Sequence, residues 1–162
     1  MFERYTPSAR RAIFYARAIT LLSERAEITS VDLLGGLLFS EESRVQTIFQ
    51  LRERFPVYSG CPYKHSTLPE VPTGPPLAND SKHALAEAAW EATRLGDYWI
   101  DNEHLLLGIM RARSCVASAY LARTGLTLNA ARKAIKDSKP SRPDYGPVPL
   151  QWRIKLRLFR LM

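Results

Sequence analysis

The sequence predicts an all-α domain that contains two copies of one helical unit. When the chain is compared with itself at an offset of 72 residues, similar residues coincide in the two halves. The central matched pairs are Ile28 and Ile100, Ser30 and Asn102, Leu33 and Leu105, Leu34 and Leu106, and Gly36 and Gly108. Apolar residues on either side recur at three- and four-residue steps, the spacing of a buried helix face. Together these features indicate an internal duplication with three to four helices per repeat and about seven helices in all.

The first helix of repeat one is expected to begin at Thr6-Pro7, because a hydroxyl cap followed by proline favours a helix start. The next helices are expected at residues 31–39, with Ser30 as N-cap, and at residues 43–54. Residues 55–76 contain many prolines and two glycines, which exclude a regular helix. Repeat one is therefore expected to lack the fourth helix that is predicted for the second repeat.

The second repeat is predicted to be complete. Its helices are expected at about residues 79–95, 102–112, 114–123 and 127–137, following the apolar spacing. Gly96 should end the first of these in the left-handed conformation, Asn102 should cap the second, and Thr127 should cap the last. Gly36 and Gly108 interrupt the leucine runs, where a missing side chain lets a neighbouring helix backbone approach closely.

At this point the sequence resembles a known family. The stretches FERYTPSARRAIFYA and GDYWIDNEHLLLGIM, with the 72-residue duplication, resemble the Clp N-terminal (Clp repeat) domain. That domain is the all-α module at the front of ClpA/ClpC-type AAA+ unfoldases. The resemblance implies a double-repeat domain at residues 1–138, with repeat one at 1–55, a proline-rich linker at 56–78 and repeat two at 79–138.

The same resemblance implies that the chain binds a partner and catalyses no reaction. The sequence contains no G-x-x-x-x-G-K-[ST] motif of a phosphate-binding loop, so we expect a stand-alone Clp N-terminal domain without ATPase modules. Its expected partner is a protein: a Clp substrate, an adaptor or a Clp subunit. The chain is thus predicted to be a non-enzymatic protein-binding module that modulates Clp-dependent proteolysis, with no cofactor.

Five candidate partner-binding residues follow from the resemblance. Phe2, Arg10 and Lys82 match family positions near the junction of the repeats, where adaptors and small ligands dock. Glu103 and Thr6 match positions that bind phosphorylated arginine side chains in ClpC-type domains. The chain departs from that pattern, since the glutamate position of repeat one is Val31 and the threonine position of repeat two is Ala78. Neither phosphoarginine pocket is complete in sequence.

An alternative interpretation makes the chain a ligand sensor or a small enzyme. In it, the loop at residues 56–76 is a lid over Glu103 and His104. Adjacent helical side chains point about 100° apart and do not converge on one atom, and His65 and His83 stand alone. We therefore expect no catalytic residues and no metal site, and Glu103 near a helix start also has a simple electrostatic explanation.

Residues 139–162 form a basic tail of different character. Six basic residues and one acidic residue give this tail most of the net charge of +7. From Leu150 to Leu158 apolar and polar residues alternate, which predicts a strand and not a helix. The candidate contact residues of this non-helical tail are Trp152, Arg153, Lys155 and Arg157.

Three interpretations of the tail remain open. It is unstructured, or it docks on its own or a neighbouring copy by strand pairing, or it contacts an anionic membrane. No nucleic-acid partner is expected for the domain, because the high pI describes the tail; nucleic-acid binding through the tail stays an alternative, which predicts strong salt dependence. The two cysteines form no C-x-x-C motif and the N-terminus lacks the apolar core of a signal peptide, so a reduced, cytoplasmic setting is predicted.

Overall fold

The computed structural model describes residues 2–39, 44–50, 74–138 and 145–152. This part of the chain contains seven helices and no strand longer than an isolated bridge. The helices are α1 (Pro7–Leu22), α2 (Ser30–Phe39), α3 (Arg44–Phe49), α4 (Asn79–Arg94), α5 (Asn102–Arg111), α6 (Val116–Arg123) and α7 (Leu128–Asp137). The all-α fold class is confirmed. Most of the expected lid and most of the proline-rich linker lie outside the described residues, as does Cys61.

Several helix ends follow the local sequence as predicted. Thr6 caps α1 by accepting a hydrogen bond from the backbone N–H of Ala9 at 3.2 Å, and Pro7 follows it. Thr127 caps α7 in the same way. Gly96, just after α4, has a φ of +79°, a conformation in which glycine has no side-chain clash. These helix boundaries are therefore set locally.

The predicted caps of α2 and α5 were wrong by one residue. Asp101, in an extended conformation, caps α5, and its carboxylate accepts from the backbone N–H of Asn102. Thr29 holds the equivalent position before α2. Ser30 and Asn102 are instead the first helical residues, and both are buried. Their side chains bind elsewhere in the domain, as when the Asn102 amide donates to the Ser8 hydroxyl at 2.7 Å.

Helix α5 is the centre of the fold. It packs most closely on α4, as α1 packs on α2, and it also contacts all the other described helices. Its residues Leu106, Leu107 and Ile109 are almost fully buried. Because one helix carries contacts to both repeats, the two copies share a single hydrophobic core.

Gly36 and Gly108 allow the two helix pairs to pack closely. A Cβ atom on Gly36 would overlap the carbonyl oxygen of Ala12 in α1 and lie 2.9 Å from the nitrogen of Ala16. A Cβ atom on Gly108 would overlap the carbonyl oxygen of Ala84 in α4 in the same way. The close backbone approach predicted from the sequence is confirmed in both repeats.

The repeats are joined by a reciprocal pair of backbone bridges. Tyr5, just before α1, forms a parallel bridge with Ile100 of the second repeat, and Leu77, just before α4, forms one with Ile28 of the first. The N–H of Thr6 donates to the carbonyl of Ile100 at 3.0 Å. Each repeat thus provides backbone hydrogen-bond partners for the turn that precedes the second helix of the other repeat.

The described part of the tail differs from the predicted strand. Residues 150–152 form a helical turn, in which the N–H of Trp152 donates to the carbonyl of Pro149 at 2.9 Å. The apolar alternation that predicted a strand lies mostly beyond residue 152, outside the described residues. For residues 150–152 the non-helical prediction was therefore wrong. In this turn the backbone N–H of Trp152 finds its acceptor within the same segment, so it needs no partner strand.

Within the described segments, no helix alone is both long and apolar enough to cross a membrane. Helices α5 and α6 meet such a test only when they are taken together, and they are bent by 97° relative to each other.

Candidate protein-binding surface

One candidate site is an open depression at the start of α1. It is lined by Phe2, Glu3, Arg10 and Ile13. The Arg10 guanidinium donates from Nε to the carbonyl of Phe2 at 3.2 Å and from Nη2 to the carbonyl of Glu3 at 3.4 Å. The structure thus brings Phe2 and Arg10 together. An apolar ring beside an exposed guanidinium fits a partner that combines apolar and acceptor groups.

Phe2, in the lining of this depression, packs against Tyr5. The Tyr5 ring meets Phe2 edge-on, with 5.1 Å between the ring centroids. Burial raises the pKa of the Tyr5 phenol to about 12, although Arg4 acts in the opposite direction. Burial also lowers the pKa of Arg4. The N-terminal residues are therefore built into the core and carry Phe2 on a fixed support.

Lys82 lies apart from this depression. It occupies the position on α4 that Arg10 occupies on α1, and it is exposed. The depression is lined from the N-terminal segment and α1 alone. The structure does not bring Lys82 to the Phe2–Arg10 surface.

Thr6 is buried and has a structural role. Its hydroxyl donates to the Asp101 carboxylate at 3.0 Å while it accepts from the N–H of Ala9. The side chain therefore links the cap of α1 in repeat one to the cap of α5 in repeat two. Its hydrogen-bonding capacity serves the junction between the repeats.

Glu103 is also engaged inside the molecule. Its side chain is only 3% exposed and pairs with Arg44 at the start of α3. The same guanidinium donates to the carbonyl of Ser138, just after α7, at 2.6 Å. A carboxylate that already holds a guanidinium in a buried site is poorly placed to bind a second one. Arg44, which the sequence analysis did not consider, therefore occupies the group predicted to bind a phosphoarginine.

His104 completes a capping box with Asp101. The N–H of Asp101 donates to Nδ1 of His104 at 2.9 Å, and Nε2 lies 3.2 Å from the Asp97 carboxylate. A backbone N–H can only donate, so Nδ1 is the acceptor and the ring proton lies on Nε2, facing Asp97. With the ring 1% exposed, both nitrogens of His104 are used to fix the start of α5.

In repeat one, an acid and a base exchange places at the equivalent two positions. Asp32 stands where His104 stands in repeat two, and it accepts from the N–H and the hydroxyl of Thr29 at 2.8 and 2.7 Å. Its partner Arg25 corresponds to Asp97 in the 72-residue register. The sequence contained this signal, since an acid and a base change places at two positions seven residues apart.

Comparisons with known proteins agree with this architecture. No protein-family model matches the chain. The N-terminal domain of the caseinolytic protease associated chaperone ClpD from Arabidopsis thaliana superposes with a TM-score of 0.61 at 21% identity, over 85% of this chain and 98% of that one. The N-terminal domain of Hsp104 from Candida albicans gives a TM-score of 0.59 at 14% identity, over 86% of this chain and 95% of that one. This is the Clp N-terminal domain fold.

The proteins that this chain resembles in sequence are longer than the chain itself. The chaperone protein ClpB of Propionibacterium freudenreichii is 28% identical over 143 residues, which are 85% of this chain and 16% of ClpB. An uncharacterized protein of Mycobacterium tuberculosis and one of Mycobacterium bovis are each 31% identical over 113 residues, or 67% of this chain. The chain spans 44% of the length of these two relatives.

The sequence analysis missed a buried carboxylate that pairs with two arginines. Glu91 on α4 is completely buried and pairs with Arg132 of α7, whose Nε donates to it at 2.9 Å, and with Arg111 of α5 at 3.4 Å. The guanidinium of Arg111 also lies 3.6 Å from the ring centroid of Trp90. In the first repeat the position of Glu91 is Ile19. The buried acid thus accompanies the pairing of α4 with α7.

The tail packs on the second repeat through aromatic side chains. Trp152 meets Tyr98 with ring centroids 5.6 Å apart, and Tyr145 meets Trp99 at 6.0 Å. The guanidinium carbon of Arg4 lies 4.0 Å from the centroid of the Trp152 ring. Of the predicted tail contacts, Trp152 thus contacts the body, while Arg153, Lys155 and Arg157 lie outside the described residues.

The described residues hold no group of three or more His, Cys, Asp or Glu side chains placed to bind a metal ion. Cys115 is buried, and its thiol lies 3.2 Å from the carbonyl of Asp80. Burial, and then the Asp80 charge, raise the pKa of this thiol. A buried thiol with a raised pKa carries little thiolate and is a poor nucleophile.

Proposed function

We propose that this chain is a protein-binding module of the cytoplasm that binds a Clp substrate, an adaptor or a Clp subunit and so modulates Clp-dependent proteolysis. The contact surface is the depression formed by Phe2, Glu3, Arg10 and Ile13. The observation that carries the proposal is the pairing of half-buried Phe2 with exposed Arg10 beside the start of α1. The likeness to Clp and Hsp104 N-terminal domains supports a chaperone-related role.

The proposal does not require phosphoarginine. Of the two polar residues that the resemblance implied, Thr6 binds Asp101 and Glu103 binds Arg44. Val31 and Ala78 also break the family pattern. The surface we propose instead recognises a partner segment by apolar contact with Phe2 and by hydrogen bonds from Arg10 to carbonyl or carboxylate oxygens.

The proposal also assigns no catalysis to Glu103 and His104. Both side chains are buried, and their polar atoms make the structural contacts described above. An acid or base that serves a substrate must reach it by a hydrogen bond. Binding is therefore the function that the geometry favours.

The test begins with capture of partners from source-cell lysate by the full chain, followed by measurement of the Kd for a purified Clp unfoldase or adaptor. Arg10→Ala is expected to weaken binding by about tenfold, as for a residue central to an interface. Lys133→Ala is the matched control, because it removes one exposed charge from the outer face of α7. The proposal is wrong if Arg10→Ala and Phe2→Ala bind as tightly as Lys133→Ala.

A further inference from the structure

The two ends of the described chain meet on the second repeat. We call residues 145–152 the C-terminal strap and residues 2–6 the N-terminal segment. The strap contributes Trp152, whose ring lies against the Arg4 guanidinium and the Tyr98 ring. It also contributes Tyr145, whose ring lies against Trp99. The strap is thus attached at two points by aromatic contacts.

Arg4 connects the strap to the N-terminal segment. Its Nε donates to the carbonyl of Tyr98 at 3.0 Å, and its own carbonyl accepts from the N–H of Ile100 at 2.7 Å. Its Nη2 atom is buried without a hydrogen-bond partner. The faces of the Trp152 and Tyr98 rings, 4.0 and 5.3 Å from the guanidinium carbon, therefore contribute electrostatic stabilisation to this partly buried cation.

The N-terminal segment in turn carries the proposed binding surface. The N–H of Tyr5 donates to the carbonyl of Phe2 at 3.1 Å, and the N–H of Thr6 donates to the carbonyl of Ile100. Phe2 and Glu3 line the depression, and their carbonyls accept the hydrogen bonds from Arg10. A displacement of Arg4 would therefore be transmitted to both sides of the depression.

We propose that the C-terminal strap is a regulatory element: docking of Trp152 on Arg4 and Tyr98 holds the N-terminal segment in the conformation that presents Phe2 and Arg10. Release of the strap loosens this segment and weakens the surface. The consequence for binding rests on the proposed function, whereas the coupling itself is a property of the chain alone. By thermodynamic reciprocity, a partner bound at Phe2 and Arg10 strengthens strap docking by the same factor.

The duplication provides an internal control for the coupling. The bridge between Tyr5 and Ile100 lies beside Arg4, whereas the equivalent bridge between Ile28 and Leu77 has none of the strap contacts described above. Local loosening should affect the first bridge alone, and loss of global stability should affect both. Amide hydrogen exchange separates these cases because each bridge has protected N–H groups of its own.

The experiment is hydrogen exchange of the full chain, resolved to single amides by NMR, for three variants. Trp152→Ala is expected to accelerate exchange at Tyr5, Thr6 and Ile100 by about fivefold or more, with no change at Ile28 and Ala78. Trp152→Phe keeps an aromatic face and should give a smaller acceleration.

Leu150→Ala, at a side chain 70% exposed two residues from Trp152, should change none of these rates. Equal rates in Trp152→Ala and Leu150→Ala would overturn the proposal. Equal acceleration at both bridges in Trp152→Ala would overturn it as well. No partner is needed, so the result stands apart from the binding test with Arg10→Ala.

Discussion

At the scale of single residues, Tyr5 shows how this domain uses its N-terminus. Its backbone bridges to Ile100, its ring supports Phe2, and its phenol lies in an apolar environment that disfavours the phenolate. The side chain is 7% exposed. One residue thus connects the core, the junction of the repeats and the proposed binding surface.

Tyr5 should make the domain sensitive to alkali. Its pKa is about 12 in the folded chain against a reference value of 10.0, so the folded state keeps the phenol proton to higher pH. The associated stability is fully present below pH 10 and is lost as the pH rises towards 12. The loss should approach about 2–3 kcal/mol. Urea unfolding followed by circular dichroism from pH 8 to 12 measures it.

Tyr5→Phe keeps the ring and removes the titrating group. Its free energy of unfolding should therefore fall less than that of the wild type between pH 10 and 12. Subtracting the two curves removes the contributions of the other tyrosines and lysines. Parallel curves would show that Tyr5 is not the group responsible.

At the scale of helices, the close pairing of α1 with α2 and of α4 with α5 depends on one glycine in each pair. Gly36 and Gly108 lie where any Cβ atom would meet the backbone of the facing helix. Backbone cannot rotate away as a flexible side chain can. Each pair is therefore intolerant of the smallest possible increase in size.

Gly36→Ala and Gly108→Ala should each destabilise the fold. Overpacking costs about 1–3 kcal/mol, and the better helix propensity of alanine returns only about 1 kcal/mol. Urea unfolding at pH 7 should show lower midpoints for both variants. Lys133→Ala, on an exposed helix face, should stay within about 0.5 kcal/mol of the wild type. A neutral or stabilising Gly36→Ala would show that α1 and α2 can separate freely.

The helices were largely predictable because their signals are local. Thr6-Pro7, Gly96 and Thr127 act on their own neighbours, and the 72-residue register transfers each assignment to the other repeat. The caps of α2 and α5 were misplaced by one residue because Thr29, Ser30, Asp101 and Asn102 are all good capping residues. Only the backbone conformation of Asp101 decides between the candidates before α5.

The site was predicted less well, because its contacts cross the chain. Glu103 looked available in sequence, and its partner Arg44 lies 59 residues away. Glu91 attracted no attention, since the helical pattern does not show that Arg132 will cover it. The adjacency of Phe2 and Arg10 is easier to anticipate, because only eight residues separate them in the chain. The placement of Trp152 on Arg4 depends on the whole fold.

At the scale of the whole molecule, the two repeats should unfold as one unit. The shared helix α5 and the reciprocal bridges leave neither copy with a separate core. All three tryptophans, Trp90, Trp99 and Trp152, lie in the second half of the chain. Tryptophan fluorescence therefore reports on the second repeat, whereas far-ultraviolet circular dichroism reports on all helices.

This arrangement gives a direct test of cooperativity with Gly36→Ala, a change in the first repeat. We expect the fluorescence and circular dichroism transitions in urea to coincide in the wild type and to move together in the variant. A fluorescence midpoint that stays in place while the dichroism midpoint falls would mean that the repeats unfold separately.

The reciprocal bridges also have the geometry of a twofold dimer contained in one polypeptide. Tyr5 reaches Ile100 as Leu77 reaches Ile28, so each half gives the other the contact that it receives. That is the defining relation of an isologous interface between identical subunits. A half-length chain with one copy would have to find a second molecule to make these contacts, at a cost that depends on concentration. Covalent fusion of the halves makes their association intramolecular. It also allows the two halves to differ in sequence, as they do at Glu91, which is Ile19 in the first repeat, and at Asp97, which is Arg25.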